Sequence, residues 1–341
     1  MTIGLPLFDQ SPWNNIADAL REKEHFVLCT HQNPDGDGLG AQLGLWEYLK
    51  NQGKSVSIIN PDPLPTRYEF LNTEKQFQGY DQGLHDKVLD AAEVAIFLDF
   101  SRWDRLGAPL EAKMRDIGAL TVCVDHHPVE DGPATLNGLD ETAAATGQLA
   151  YELIRSMGGQ LTPVMATGFY TSILTDTGSF RFSNSDSRAH RVTAELLETG
   201  IDPSVLYEKV YGEWELSRLR LMSLSLANME SLDEERVLLL PVTRQMIDEV
   251  GAHETDAEGF VDVARSVRTC ECVVLLVERE GNQTKLSFRS KGRVNVQVIA
   301  ESLGGGGHLY AAGATVSGNV QDARELVYHA LKEGRFVSET S

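Results

Sequence analysis

The chain has 341 residues, 42% of them hydrophobic, and a formal net charge of −20 at pH 7. That length accommodates two domains with ordinary cores, and the charge excludes a generic grip on long duplex nucleic acid, which needs a basic surface. No apolar run approaches the roughly 18 residues of a membrane span, and no basic segment leading into an apolar one opens the chain, so neither membrane insertion nor a secretory signal is expected. Three of the four cysteines (Cys29, Cys123, Cys270, Cys272) lie in apolar runs, and Cys270-Glu271-Cys272 lacks zinc-ligand spacing. Buried, reduced thiols in a cytoplasmic protein are the expectation.

In chain order, residues 1–25 read as a lead-in with a short helix. Phe26-Val27-Leu28-Cys29 is a buried strand, followed by His31-Gln32-Asn33-Pro34-Asp35-Gly36-Asp37-Gly38 and then by Leu39, Leu43, Trp46 and Leu49 at helical spacing. One His and two Asp thus occupy a strand-to-helix turn, the carboxyl edge where open α/β sheets bind ligands. Pro34, Gly36 and Gly38 read as a sharp turn of little bulk. Asp35 and Asp37, two apart in extended backbone, can point to one side. The alternative is an Asp-rich turn that caps the helix. Residues 55–59 form a second strand after Gly53 as a helix stop, and the Pro-rich 60–65 is irregular. Residues 94–98 and 120–124 are buried strands running into Asp99 and into Asp125-His126-His127-Pro128. Three apolar strands that each end in acidic or His residues predict an α/β fold, a parallel sheet with a site at one edge.

Helices are expected over 144–157 and from Pro163 to about 175, closing at Asp176-Thr177-Gly178, with Phe180-Arg181-Phe182 extended and further helices over about 186–230. A second, smaller α/β unit begins near Glu235 with Val237-Leu238-Leu239-Leu240. It continues with helices at 244–250 and 259–267 and a hairpin of 272–277 and 284–288 around Gly281-Asn282. A helix over 296–302 capped by Asn295 follows, then Gly304-Gly305-Gly306-Gly307-His308, Ala311-Ala312-Gly313 and a last helix over about 321–334. The expected division is 1–212, a helical linker at 213–234, and 235–341.

The strand-end residues are His31, Asp35, Asp37, Asp99, His126 and Asp176. Their four carboxylates balance two divalent cations, and the imidazoles add ligands without charge, so the balance favours a two-metal site. Two cations about 3.5–4 Å apart can hold both oxygens of an in-line displacement. Mixed His/carboxylate donors lean toward Mn²⁺ over Mg²⁺.

His-x-Asn-Pro-Asp-x-Asp, a strand-end Asp, Asp-His-His and Asp-Thr-Gly, in this order, resemble the DHH phosphoesterase superfamily. Phe288-Arg289-Ser290 and the Gly-Gly-Gly-Gly-His-x-x-Ala-Ala-Gly at 304–313 resemble the DHH-associated C-terminal domain. The combination is similar to the group of nano-RNases and pAp phosphatases, over about residues 15–335. The resemblance implies a parallel-sheet DHH catalytic domain, a helical linker and a substrate-binding domain, with two Mn²⁺ per chain. It implies His31, Asp35 and Asp99 on one metal and Asp37, Asp99, His126 and Asp176 on the other, Asp99 bridging. His127 would not be a ligand; we assign it to the scissile phosphate or leaving oxygen as a donor and general acid, with Asp125 behind it as an orienting group. In the second unit, Gly304, Gly305, Gly306 and Gly307 would admit a phosphate or base close to backbone N–H groups. Arg289, beside Ser290, would pair with a phosphate, and His308 would bond to or stack on a base. Lys285, Lys291 and Arg293 add local positive charge or are solvated surface.

The implied substrates are RNAs of about two to five nucleotides, including linear pApA, and 3′-phosphoadenosine 5′-phosphate (pAp), with a cleft between the domains limiting length. Rival readings are an inorganic pyrophosphatase, a single-strand exonuclease or cyclic-dinucleotide phosphodiesterase of the same superfamily, and a non-catalytic nucleotide sensor. The glycine motif speaks against the first, the absence of a basic stripe against a processive exonuclease, and the complete ligand set against the sensor. The sequence does not fix oligomeric state; a homodimer is compatible with it.

Overall fold

The apolar runs of the first half become the strands of one parallel sheet. The computed structural model describes residues 11–128, 134–212 and 214–333; residues 1–10 of the expected lead-in, and Gly334 as the end of the last helix, lie outside them. The chain divides into two compact units, Met1–Glu213 and Trp214–Ser341.

The first unit runs α1 (Ser11–Arg21), β1 (His25–Cys29), α2 (Gly36–Asn51), β2 (Ser55–Asn60), β3 (Phe77–Gly79), α3 (Gln82–Asp90), β4 (Val94–Leu98), α4 (Ala108–Arg115), β5 (Leu120–Asp125) and β6 (Leu136–Leu139). It closes with α5 (Thr146–Ser156), α6 (Pro163–Asp176), α7 (Ser187–Glu198) and α8 (Pro203–Tyr207). The sheet order is β3-β2-β1-β4-β5-β6, every pair parallel. Both faces are covered, as a parallel sheet requires: Phe26 and Leu28 enter one core with α2, α5 and α6, while Val27 and Cys29 enter another with Leu89, Leu110 and Met114.

Helices α2 and α6 cross very closely. A Cβ on Gly40 would overlap the carbonyl oxygen of Gly168, and one on Gly168 would stand 2.5 Å from that of Gly40. Gly36 and Gly38 do not make the expected turn. They lie inside α2, where a Cβ would run into Thr175 and Thr30 respectively, and the left-handed residue of the loop is Asn33 (φ 53°). Their lack of bulk serves packing of the helix. Asp35 and Asp37 are correspondingly not in extended backbone together: Asp35 is the N-cap of α2 and Asp37 sits in its first turn.

Residues 180–182 are not extended. Gly178, Ser179 and Phe180 are all left-handed (φ 55°, 61° and 63°), and the Thr177 carbonyl accepts from the N–H of both Arg181 and Phe182. The alternating aromatic pattern belongs to a tight turn that folds the chain back beneath Asp176.

The second unit runs α9 (Leu216–Ala227), β7 (Glu230–Leu232), β8 (Val237–Val242), α10 (Arg244–Val250), α11 (Phe260–Arg265), β9 (Cys272–Arg279), β10 (Gln283–Ser290), α12 (Val296–Ser302), β11 (Gly306–His308), β12 (Ala311–Ser317) and α13 (Val320–Glu333). Its mixed sheet has the order β11-β12-β10-β9-β8-β7, with β8 and β9 parallel and the other pairs antiparallel. Helix α9, within the stretch expected as linker, buries Leu221 in the core of this unit with Leu238 and Phe260. Gly281 and Asn282 make the β9–β10 turn, both at positive φ, and the Asn295 side chain caps α12 by accepting from Gln297 and Val298. All four cysteines are buried and unpaired. No helix among the described residues is long and apolar enough to cross a membrane.

Candidate metal centre

The strand order of the first sheet reverses at β1, so the carboxyl ends of β1 and β4 flank the crevice where such sheets bind ligands. His31 follows β1 by two residues, Asp99 follows β4 directly, Asp125 is the last residue of β5, and His126 and His127 come next. Asp99 holds φ 67°, an uncommon conformation for a non-glycine residue, of the sort proteins keep at functional sites.

The side chains gather into groups around Asp99. His31, Asp35 and Asp99 could hold one ion, and Asp37, His126 and Asp176 another; Asp99 also neighbours Asp125, His126 and His127. His31 Nε2 lies 3.3 Å from Asp99 Oδ2, and its Nδ1 lies 2.7 Å from the Gln32 carbonyl. That contact puts the proton on Nδ1 and turns a lone pair on Nε2 toward the carboxylates. His126 repeats the device. Its Nδ1 faces the Ala143 carbonyl at 3.2 Å, while Nε2 stands 3.3 Å from Asp37, 3.6 Å from Asp176 and 3.9 Å from Asp99.

Asp37 is 2% exposed and is held by groups that sequence reasoning missed. It accepts from the N–H of Thr146 (2.9 Å) and Gly147 (3.1 Å) and from the Ser172 hydroxyl. The first two are the unpaired amides that open α5, so Asp37 caps a distant helix with its carboxylate. Ser172 lies four residues before Asp176 on α6, on the same helix face, a spacing that could have flagged it. Thr146 Oγ1 donates to Asp99 (3.2 Å). The Asn184 amide, returned by the left-handed turn, reaches the carboxylate of Asp176 at 3.3 Å and its carbonyl at 3.2 Å.

The electrostatics are those of a cluster that wants cations. Burial, then the charges of Asp37 and Asp35, hold Asp99 well above the usual carboxylate range. Burial, then Asp37, pushes Asp176 up to about 7. Burial works against the charged form of both Asp37 and His126. Their close approach prevails: Asp37 falls below its ordinary value and His126 rises to about 9. No lysine or arginine is paired with Asp99 or Asp176 among the described residues. The buried His126 Nε2 has no hydrogen-bond partner, though three carboxylates surround it. An imidazole nitrogen aimed among carboxylate oxygens, in a pocket that disfavours the ionisation of Asp99 and Asp176, is a donor set that fits a divalent metal.

His127 is placed differently. Its Nδ1 is 2.8 Å from Asp125 Oδ1, and its side chain is 42% exposed while Asp125 is fully buried. The same Asp125 oxygen accepts from the N–H of His126 (2.8 Å) and His127 (3.2 Å). Asp125 therefore fixes the orientation of the exposed histidine.

In the second unit, His308 on β11, Ala311 on β12 and Arg289 on β10 stand opposite one another in register, which places them on one face of the sheet. Arg289 is half-buried, and its guanidinium donates from Nη1 to the Phe288 carbonyl (2.9 Å). Burial pulls its guanidinium below the ordinary value, against the raising charges of Asp262 and Glu258. Ser290 is buried, and its Oγ accepts from the N–H of Gly292 (3.1 Å) and Val294 (3.2 Å), holding the turn after Arg289. The four glycines divide by role. Gly304 is left-handed (φ 77°) just after α12. A Cβ on Gly305 or Gly307 would strike the backbone of β12, whereas one on Gly306 would meet nothing within 4 Å. Lys291 donates to the Val267 carbonyl (2.6 Å) and Arg293 pairs with Glu271 (3.0 Å), so both serve the fold, while Lys285 is exposed.

Comparison with known proteins gives a consistent result. Residues 25–173 match the DHH family, N-terminal domain, and residues 237–333 match the DHHA1 domain. The chain is similar to the bifunctional oligoribonuclease and PAP phosphatase NrnA of Thermus thermophilus, 35% identical over 93% of each chain. It is also similar to that of Bacillus subtilis, 27% identical over 85% of this chain and 88% of the relative. Among solved structures, an exopolyphosphatase-related protein from Bacteroides fragilis superposes with a TM-score of 0.91 at 28% identity, over 95% of this chain and 96% of that one.

Proposed function

The chain belongs to the DHH phosphoesterase family and is a hydrolytic enzyme of it, and from that premise we propose that it is a Mn²⁺-dependent enzyme of two activities. One is hydrolysis of RNAs of about two to five nucleotides, pApA included, to mononucleotides; the other is conversion of pAp to AMP. The observation that carries this reading is the pair of neighbouring His/carboxylate groups, His31/Asp35/Asp99 and Asp37/His126/Asp176, with His126 Nε2 3.9 Å from Asp99, joined in one chain to a DHHA1 domain. The Thermus and Bacillus relatives are named for oligoribonuclease and PAP phosphatase activity; the length range and pApA come from the family resemblance.

In this reading His31, Asp35 and Asp99 hold one cation, and Asp37, Asp99, His126 and Asp176 hold the second. Two bound divalent ions supply Lewis acidity to the phosphoryl group and lower the pKa of water. The residues of the chain do the rest. Gln32 and Ala143 set the tautomers of the ligating imidazoles, and Asn184 and Thr146 orient Asp176 and Asp99. Asp125 holds the His127 Nδ1 proton, so that Nε2 is the nitrogen offered to the scissile phosphate or leaving oxygen, as donor or general acid. Arg289, His308 and the backbone at Gly306 recognise the nucleotide in the second unit, with Gly304, Gly305, Gly307 and Ser290 shaping that surface. Four free thiols suit a reducing cytoplasm.

The test is digestion of 5′-labelled RNAs of two to twenty-four nucleotides, alongside pAp, with Mn²⁺, Mg²⁺ or chelator. Rapid cleavage of the shortest RNAs and of pAp with Mn²⁺, fading with length, is expected. Undiminished cleavage of the longest RNA would make the protein a general single-strand exonuclease instead. Anomalous scattering from Mn²⁺-soaked crystals should give two peaks per chain beside Asp99.

A further inference from the structure

Thr171, Ser172 and Thr175 lie near the end of α6 and use their hydroxyls differently. Thr171 and Thr175 send theirs back to the carbonyls of Thr167 (2.8 Å) and Thr171 (3.0 Å), the usual outlet for a hydroxyl inside a helix. Ser172 donates instead to Asp37 Oδ1, while its own oxygen accepts from the Gly147 N–H at 2.8 Å. Ser172 is fully buried, and three helices meet at its Oγ: α2 through Asp37, α5 through Gly147, and α6 itself. Two glycines clear the space it fills. A Cβ on Gly147 would overlap Ser172 Oγ, and one on Gly40 would stand 3.0 Å from Ser172 Cβ.

The donors divide unevenly between the two oxygens of Asp37. Oδ1 takes the Ser172 hydroxyl and the Gly147 N–H at 3.1 Å. Oδ2 takes the Thr146 N–H at 2.9 Å. It is Oδ2 that faces His126 Nε2 at 3.3 Å, the buried nitrogen without a hydrogen-bond partner. A carboxylate oxygen offers about two lone-pair sites. Both are filled on Oδ1, and one stays open on Oδ2, beside the imidazole nitrogen. A carboxylate free to turn could meet an ion through either oxygen or through both. Asp37, tied through Oδ1 to two other helices, has its orientation set by the packing of the protein.

We propose that Ser172 is a positioning residue: it occupies Asp37 Oδ1, so that Asp37 binds the divalent cation it shares with His126 and Asp176 through Oδ2 alone. This rests on the reading of the cluster as a metal centre.

Two measurements test it. In wild-type crystals soaked with Mn²⁺, Asp37 should bind its ion by Oδ2 only, with Oδ1 still bonded to Ser172. An ion on Oδ1, or on both oxygens, overturns the proposal. Calorimetric titration of Mn²⁺ into the metal-free protein then compares wild type, Ser172→Ala and Ile173→Val, with the Tm of each metal-free form. Ser172→Ala should lower the affinity for one ion about 10- to 100-fold, the usual worth of a group that orients a metal ligand. Ile173→Val deletes a buried methyl from the same helix; it should lower Tm and leave Mn²⁺ affinity within about twofold of wild type. A Ser172→Ala affinity within about twofold of wild type would make the hydroxyl a plain packing contact. Equal affinity losses in Ser172→Ala and Ile173→Val would make the effect one of general stability. Either result overturns the proposal. A wild type that binds no Mn²⁺ at the cluster would overturn instead the metal-centre reading beneath it.

Discussion

In the first sheet every strand runs the same way, so β1, β4 and β5 deliver their last residues to one edge, and the polar groups collect there as side chains: His31, Asp99, Asp125, His126. In the second sheet β10 and β12 run antiparallel to their neighbours. No edge accumulates acids, and the polar features lie across one face: Arg289, His308 and the open backbone at Gly306. The contrast is one of charge as well. The first unit gathers four carboxylates that repel one another, Asp37 and Asp99 buried and Asp35 and Asp176 partly exposed; the second half-buries Arg289, which pairs with no anion among the described residues. A cluster of the first kind suits cations and a reacting phosphate. A lone guanidinium beside side-chain-free backbone suits recognition of an anion that is not being cut.

The widest way to break that division is at the acid cluster. Asp37→Ala and His126→Ala should each reduce turnover of pApA and of bis-p-nitrophenyl phosphate alike, by about 10³-fold or more, because a single lost charge-stabilising group is itself worth about 10²–10³. Unequal losses on the two substrates would mean that the first unit also recognises the nucleotide. Next, His127→Ala should lower kcat by about 10²–10⁴ while elemental analysis finds the metal content of wild type; a lost metal would move His127 into the ligand set.

The second unit gives the converse. Arg289→Ala should cost about 1.5–3 kcal/mol in pApA cleavage, the range for a hydrogen bond to a charged group, and leave the minimal ester untouched. Equal losses on both would assign Arg289 to the fold. The smallest effects separate the glycines. Gly305→Ala must push against the β12 backbone and should destabilise by about 1–3 kcal/mol. Gly306→Ala, with open space before it, should fall within about 0.5 kcal/mol of wild type in denaturant melts yet weaken pApA binding. A Gly306→Ala protein with unchanged KM for pApA would leave that backbone without a ligand.

Much of the parallel sheet was legible because fully buried strands carry uninterrupted apolar runs, as at Val94–Leu98 and Leu120–Asp125. His31, Asp99 and His126 were legible because chemistry-bearing types stood just past those runs, Asp35 and Asp37 because they open the helix after the first run, and Asp176 because it closes a helix. What escaped was whatever depends on tertiary partners. β6 is a four-residue edge strand, Leu-Asn-Gly-Leu, with one buried residue. α3 and α4 are short, nine and eight residues, each with only two buried side chains. Thr146, Ser172 and Asn184 are ordinary polar residues until the fold brings them to Asp37, Asp99 and Asp176. Gly36 and Gly38 misled in the other direction: a glycine before a helix reads as a turn, and only the neighbouring Thr175 and Thr30 reveal that the space, not the conformation, is what matters. The glycine run of the second unit likewise reads as uniform until β12 is laid against it.

The capping of α5 by Asp37 has a consequence for how the protein is made. Of the carboxylates in the cluster, this one is well supplied with donors before any ion arrives: two backbone amides and a hydroxyl. A newly synthesised chain can therefore bring α2 and α5 together by an ordinary helix-capping contact and meet its ions afterwards. Ribosome output would then set the amount of protein, and the supply of divalent ions how much of it works.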